Sequence, residues 1–232
     1  IRNINSKLMT NINGKNYLLL EKSNKKTSIE DELLNYYKVL LPSQLYFNID
    51  RTDWVYLWSE KIDYIEYQKI HLKGEYPLLE ESINYFIGMA ENAIMYVRNC
   101  FKEDNNLDDL VLSHKRIISK EFNSPINLIV DHRSRDISEY LKYLFFTNDY
   151  DYIKINQYLQ KLNLNSYMYK LLYGRMLFPT FYFDKYDDIV NKNKSEKEIL
   201  TILKKVEAYE DFLKNIYLII NQNTAIKKVD WL

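Results

Sequence analysis

The residues best suited to chemistry are His114, Asp131, His132 and Asp136, with Arg116 and Glu121 between them. They sit at the ends of two apolar runs, Leu110-Val-Leu-Ser-His114 and Ile126-Asn-Leu-Ile-Val130-Asp131-His132, joined by a charged stretch. Two short buried strands with polar residues at their ends can form the floor of an active site. An imidazole pair and a carboxylate brought together would suit zinc or manganese. The plainer reading is favoured: His114 braces its loop through a backbone hydrogen bond, and His132 is a surface residue. The cluster Arg133-Ser-Arg135-Asp136 could hold a phosphate at a helix N-terminus. It fits better as a solvated turn with Asp136 as the cap.

Composition narrows the setting. The chain has 232 residues, 47% of them hydrophobic and 28% charged, enough apolar matter for a real core. Lys plus Arg (32) equals Asp plus Glu (32), so overall charge points to neither nucleic acid nor an anionic membrane as partner. The single cysteine, Cys100, excludes an intrachain disulfide and falls on the apolar side of a helical pattern, where it reads as a small buried hydrophobe. No apolar run reaches membrane-spanning length, and Ile1-Arg-Asn-Ile-Asn has no secretory character, so a reducing cytoplasm is expected. The 22 tyrosines, like the many Asn, Lys and Ile, share AT-rich codons and carry no functional signal.

The elements that must position these residues follow from pattern. Residues 7–22 read as a hairpin around Asn13-Gly14. Thr27-Ser-Ile-Glu30 reads as a capping box opening a helix with Leu33, Tyr37 and Leu40 on one face, ended by Pro42. Trp54-Val-Tyr-Leu-Trp58, aromatic and β-branched, predicts a strand, and residues 61–72 a short helix. Pro77 opens a long helix with Leu79, Ile83, Ile87, Ala90, Ile94, Val97 and Phe101 inward, in which Gly88 suggests a close helix contact. Residues 102–109 read as a linker. After the two strands, Asp136 starts a helix with Ile137, Leu141, Leu144 and Phe145 inward. Helices are then expected over 151–162 and 166–178, the latter broken by Pro179. A last one spans 195–221, capped by Ser195-Glu-Lys-Glu198. The aromatics Phe178, Phe181, Tyr182 and Phe183 read as core. The fold class is α+β: a reduced β-rich lobe over 1–58, made of hairpin, helix and connector strand, then a mostly helical lobe over 59–232.

This order resembles the two-lobe protein-kinase-like fold, especially its aminoglycoside/choline phosphotransferase branch. That branch carries His-Gly-Asp, four residues, Asn, and then a strand ending Ile-Asp. The resemblance places His114 on the first His, Lys115 on Gly, Arg116 on the catalytic Asp, Glu121 on the metal-binding Asn, Asp131 on the metal-binding Asp and Asp136 on a later helix-starting Asp. Arg116 decides the chemistry. A guanidinium only donates, cannot accept a hydroxyl proton, and repels magnesium. Phosphoryl transfer needs acceptor oxygens at these places. The four glycines, Gly14, Gly74, Gly88 and Gly174, are too far apart for a nucleotide-covering loop. Lys22 is the candidate for the phosphate-pairing strand lysine.

Three further segments are similar to spore coat-associated kinase-like proteins of the CotS/YutH type, from endospore-forming Firmicutes. They are Tyr85-Phe-Ile-Gly-Met-Ala-Glu-Asn-Ala-Ile-Met-Tyr96, Val130-Asp-His-Arg-Ser-Arg-Asp-Ile-Ser-Glu-Tyr140 and Leu172-Tyr-Gly-Arg-Met-Leu-Phe-Pro-Thr-Phe-Tyr-Phe183. With the loop Leu112-Ser-His-Lys-Arg116 they span residues 85–183, a little under half the chain and all of it beyond Trp54. The resemblance implies a pseudokinase acting as a binding or scaffold element in spore coat assembly. Its degenerate loop would comprise His114, Arg116, Asp131 and His132, with no cofactor. Its partners would be other spore coat or morphogenetic proteins, neither nucleic acid nor membrane, and its setting the mother-cell cytoplasm and the coat. The alternative is an active small-molecule phosphotransferase using magnesium and ATP, with Asp131 and Glu121 as rearranged metal ligands.

Overall fold

A type I′ turn needs positive φ at both central positions, and Asn13 (φ 53°) and Gly14 (φ 77°) supply it. They join Met9–Ile12 (β1) to Lys15–Leu18 (β2), antiparallel with Ile12 opposite Lys15. The computed structural model describes residues 9–18, 28–37, 49–103, 110–117, 122, 124–192 and 194–232. Lys22, Leu40, Pro42 and Glu121 lie outside them. The chain divides into two compact units, Ile1–Glu32 and Leu33–Leu232.

The first helix, Ile29–Tyr37 (α1), starts one residue later than the expected box. Ser28 Oγ accepts from the Asp31 amide (3.1 Å) and donates to Asp31 Oδ2 (2.7 Å), so Ser28 supplies the side-chain cap one residue past the expected position.

The expected connector strand is a helix. Trp54–His71 form one continuous element (α2), absorbing both the predicted strand and the short helix after it. Asp53 caps it by accepting from the Tyr56 amide at 2.9 Å. Trp54, Trp58, Ile62 and Ile65 are its buried residues, at helical spacing. Trp58 stacks on Phe178 with ring centroids 4.2 Å apart, and Trp54 stacks on Trp58 at 5.4 Å. Packing against distant aromatics overrides a β-propensity worth at most about 1 kcal/mol.

The long helix Pro77–Glu103 (α3) buries the expected face, with Phe101 half-buried, and adds Phe86, Met89, Ala93, Tyr96 and Cys100. Cys100 is a buried free thiol, held protonated by burial, with its pKa pushed up to about 12. Leu110–His114 (β3) and Leu128–His132 (β4) form an antiparallel pair, with Ser134–Phe146 (α4) directly after. Tyr152–Leu162 (α5) is capped by Asp151, and Ser166–Leu177 (α6) by Asn165. Helix α3 packs on both α2 and α6, and α4 packs on α6.

Gly88, expected at a close helix contact, has no atom within 4 Å of where a Cβ would stand. The close approach is at Gly174 on α6. There a Cβ would lie 2.6 Å from Val97 Cγ2 and 3.0 Å from Tyr96 Cδ1 on α3. Valine is stiff at χ1 and cannot swing aside. Gly174→Ala should therefore destabilise by about 1–3 kcal/mol through overpacking, despite the roughly 1 kcal/mol that alanine gains in helix propensity. Adding Val97→Ala should recover part of the loss. Urea melts of the two single variants and the double variant would show this as coupling, and strict additivity would refute the contact.

Pro179 ends α6 and also opens Thr180–Lys192 (α7), a helix with no counterpart in the sequence reading. Its carbonyl accepts from the Tyr182 and Phe183 amides, and its missing N–H costs nothing at a helix start. Phe178, Tyr182 and Phe183 are buried as core, and Phe181 is partly so.

The expected helix over 195–221 is interrupted. A 3₁₀ turn at Glu196–Ile199 leads into Leu200–Leu203 (α8), and after Lys204-Lys205 comes Val206–Asn221 (α9). The Ser195 side chain makes no cap bond. The acids around it serve distant partners instead. Glu198 accepts from Lys185 Nζ (2.8 Å), and Glu196 accepts from the Leu79 amide (3.0 Å) in the first turn of α3.

Candidate functional site

The β3–β4 pair sets the site. Its register puts Leu110 opposite His132, Val111 opposite Asp131 and His114 opposite Leu128. On its other side β4 bonds to the segment before α2: Val130 N–H donates to the Ile49 carbonyl, and the Arg51 N–H to the Val130 carbonyl, both at 2.9 Å. Trp54, three residues beyond Arg51, is thereby brought onto Asp131.

Asp131 is fully buried and both of its oxygens are committed. Oδ1 accepts from the Trp54 indole Nε1 (2.8 Å) and the His132 amide (2.8 Å). Oδ2 takes Arg135 Nη1 at 2.6 Å, a charge-assisted bond. Arg135 Nε donates to the His114 carbonyl at 3.0 Å, so one guanidinium ties the two loops together.

His114, also fully buried, is gripped twice by Asp136. Its amide donates to Oδ1 (2.9 Å), and its Nδ1 is hydrogen-bonded to Oδ2 (2.6 Å). The ring stacks on Phe122 at 4.1 Å. So His114 braces its loop through the Asp136 carboxylate, which takes both its ring and its amide, where a backbone hydrogen bond was expected. Asp136, expected to cap a helix, is the third residue of α4 and serves His114 instead, while Arg133 stands at the cap position without a side-chain cap bond.

His132, expected at the surface, is 4% exposed. It lies among Trp54, Phe101 and Tyr167, with Nε2 3.2 Å from the Thr52 carbonyl. Burial lowers its pKa, against the opposing pull of Asp131, and so favours the neutral ring. His114 and His132 thus face different partners. Among the described residues no three His, Cys, Asp or Glu side chains are arranged to hold a metal ion.

Arg116 is exposed. Its Nη2 binds Asp184 Oδ1 on α7 at 2.6 Å, and its Nη1 the Lys115 carbonyl at 2.9 Å. Lys61 on α2 lies 3.7 Å from the same Asp184 oxygen. Asn127 clamps the backbone of Arg116, accepting from its amide (3.0 Å) and donating to its carbonyl (2.8 Å).

A second layer of charge escaped the sequence reading. Arg175 on α6 donates from Nε to Glu139 Oε1 at 2.9 Å and lies over the Trp54 ring at 4.8 Å. Lys142 Nζ is 3.6 Å from the same Glu139 oxygen and donates to the Phe178 carbonyl and Thr180 Oγ1, both at 3.0 Å. Burial alone would raise the Glu139 pKa, but Lys142, Arg175 and Arg135 together hold it at about 2. The available signal was a charge inside an apolar face, such as Lys142 between Leu141 and Phe145, or Arg175 between Leu172 and Met176.

Comparison with known proteins gives the family. The family model "Spore coat putative kinase YutH" matches residues 1–216. The chain is 28% identical to the "Endospore coat-associated protein YutH" of Bacillus subtilis (strain 168), over 94% of this chain and 74% of that one. No solved structure matches the chain.

Proposed function

We propose that this chain, which belongs to the spore coat YutH family, is a catalytically degenerate kinase-like protein that acts as a binding or scaffold element in the spore coat. One observation carries the reading. The carboxylate standing where such a fold would hold magnesium, Asp131, is instead neutralised by Arg135 and bonded to Trp54. A cation could reach it only by displacing a guanidinium from a buried site, so the residues present do not fit magnesium. The position of the catalytic carboxylate belongs to Arg116, whose charge is spent on Asp184. What the two loops retain is mutual bracing.

The kinase-like two-lobe architecture is part of the proposal, and so is a path from mother-cell cytoplasm to coat. Partners would be other coat or morphogenetic proteins. The balanced charge gives nucleic acid no footing, and no helix of the described residues is long and apolar enough to cross a membrane. The endospore coat association of the Bacillus relative supports the setting.

Adding magnesium and ATP in a thermal-shift assay should leave the melting temperature unchanged. A ligand at a hundred times its Kd would add about 2.7 kcal/mol and several degrees. A rise of that size would overturn the reading in favour of a nucleotide-binding protein.

A further inference from the structure

The outer face of α2 carries apolar side chains that nothing in the chain covers. Tyr56, Tyr64, Tyr67 and Ile70 are between 52% and 73% exposed. At 3.6 residues per turn they fall within about a third of the helix circumference and run for about 21 Å. They lie opposite Trp54, Trp58, Ile62 and Ile65, which face the core. One exposed apolar side chain is ordinary, but a stripe of them marks an interaction surface. The stripe is also acidic. Glu60 and Asp63 lie within it and Glu66 at its edge, all three exposed and none in an ion pair among the described residues. The lysines of α2 are turned elsewhere, Lys61 to Asp184 and Lys69 to Asn84.

A surface of opposite charge stands on α5 of the same chain. No acid occurs between Tyr152 and Leu162. Ile153 is 71% exposed there, with Lys154 and Lys161 on the same side, also exposed and in no ion pair among the described residues. The Asp151 carboxylate, just ahead of the helix, is turned onto the Ile153 and Lys154 amides. Lys154 and Lys161 are separated by about 10 Å along their axis, and Glu60 and Glu66 by about 9 Å along theirs. Both lysines can therefore meet acids at once while Ile153 settles among the tyrosines, whose rings also attract an ammonium. Since both faces are exposed, neither covers the other within one chain.

We infer that the α2 stripe of one copy docks on the α5 face of a second copy. The contact joins two different patches, so each pair keeps one of each unused and association continues past two chains. Neither face includes a residue of the β3–β4 network, so the inference stands apart from the non-catalytic reading above, and its failure would leave that reading in place.

Sedimentation equilibrium of the purified chain is the test. The apparent mass should climb with protein concentration beyond that of a pair, and fall in high salt, which screens exposed ion pairs. Two variants each remove one face: Tyr67→Ser with Ile70→Ser on α2, and Lys154→Glu with Lys161→Glu on α5. All four residues are exposed, so both variants should keep the parent's circular dichroism spectrum. Each should associate at least about tenfold more weakly than the parent, through lost apolar burial in the first and lost ion pairs in the second. Mixed in equal amounts, the two retain a single native contact between them and should stop at a pair containing one of each. A parent that stays a single chain at every concentration would overturn the inference. So would either variant associating as the parent does, or a mixture that forms no pair.

Discussion

Asp131→Ala is expected to cost about 3–5 kcal/mol, a large share of the roughly 5–15 kcal/mol that keeps a domain folded. The reason is what stays behind. Arg135 would be a guanidinium in a site where it is 9% exposed, without its counter-ion. The Trp54 indole and the His132 amide would lose their acceptor in the same step. Removing one partner of a buried ion pair is far more damaging than replacing both, because an uncompensated charge remains. The outcome separates two roles for one residue. A carboxylate kept for a metal ion sits among groups that tolerate its loss, so its alanine variant folds and only activity disappears. A carboxylate kept for Arg135 and Trp54 takes the fold with it. Asp131→Asn, which keeps an acceptor for Trp54 but loses the charge, should fall between alanine and the parent. Urea denaturation followed by circular dichroism measures all three. An alanine variant as stable as the parent would remove the structural role and revive the metal-binding reading.

The local features of this fold were legible because their causes are local. Asn13-Gly14 dictates its turn through its own φ angles, and helix starts announce themselves within three or four residues. Even there the register slipped: Thr27 and Ser28 are adjacent cap candidates offset by one residue, and Ser28 is the one that bonds to the Asp31 amide. The Trp54 segment was misread for a different reason. Its aromatics suit a strand in isolation, and only Phe178, far along the chain, makes a helix the better host. At the site, residue types were legible and partners were not. Arg116 could be seen as unfit to take a proton, but its partner Asp184 lies on α7, which the pattern did not reveal beyond Pro179. Arg135 looked like half of a surface cluster, yet it is the bolt between Asp131 and the His114 carbonyl. Pairings such as Trp54 with Asp131, or Glu139 with Arg175, are set by tertiary packing and leave no spacing to detect.

Glu139→Gln should cost on the order of 3 kcal/mol, while Lys142→Met should be tolerated or stabilise. The asymmetry comes from charge balance. In the layer behind the loops, Asp131 and Glu139 answer Arg135, Lys142 and Arg175, so carboxylates are scarce and cations are in excess. One Arg175 nitrogen, Nη1, has no acceptor among the described residues. Removing Glu139 deepens the deficit; removing Lys142 relieves it. A methionine there also strands nothing, since the Phe178 carbonyl keeps the Thr180 amide at 2.9 Å. The pH dependence follows from the same groups. Glu139 titrates at about 2 in the folded chain against an ordinary 4.5, so between these values the unfolded chain binds more protons. Its contribution, roughly 3 kcal/mol, is complete above pH 4.5 and lost as pH falls toward 2. Burial lowers Lys142 to about 8 from an ordinary 10.5, so from 8 upward the folded chain releases a proton that the unfolded one keeps. Stability should therefore rise with pH from 2 to 4.5 and again from 8 to 9; above 9 the Cys100 thiol, held protonated by burial up to about 12, acts in the opposite sense. Melting temperatures across this range should show both slopes in the parent. The acid slope should flatten in Glu139→Gln and the alkaline one in Lys142→Met. A Glu139→Gln variant with the parent's acid profile would mean that the carboxylate is not what holds this layer of charge together.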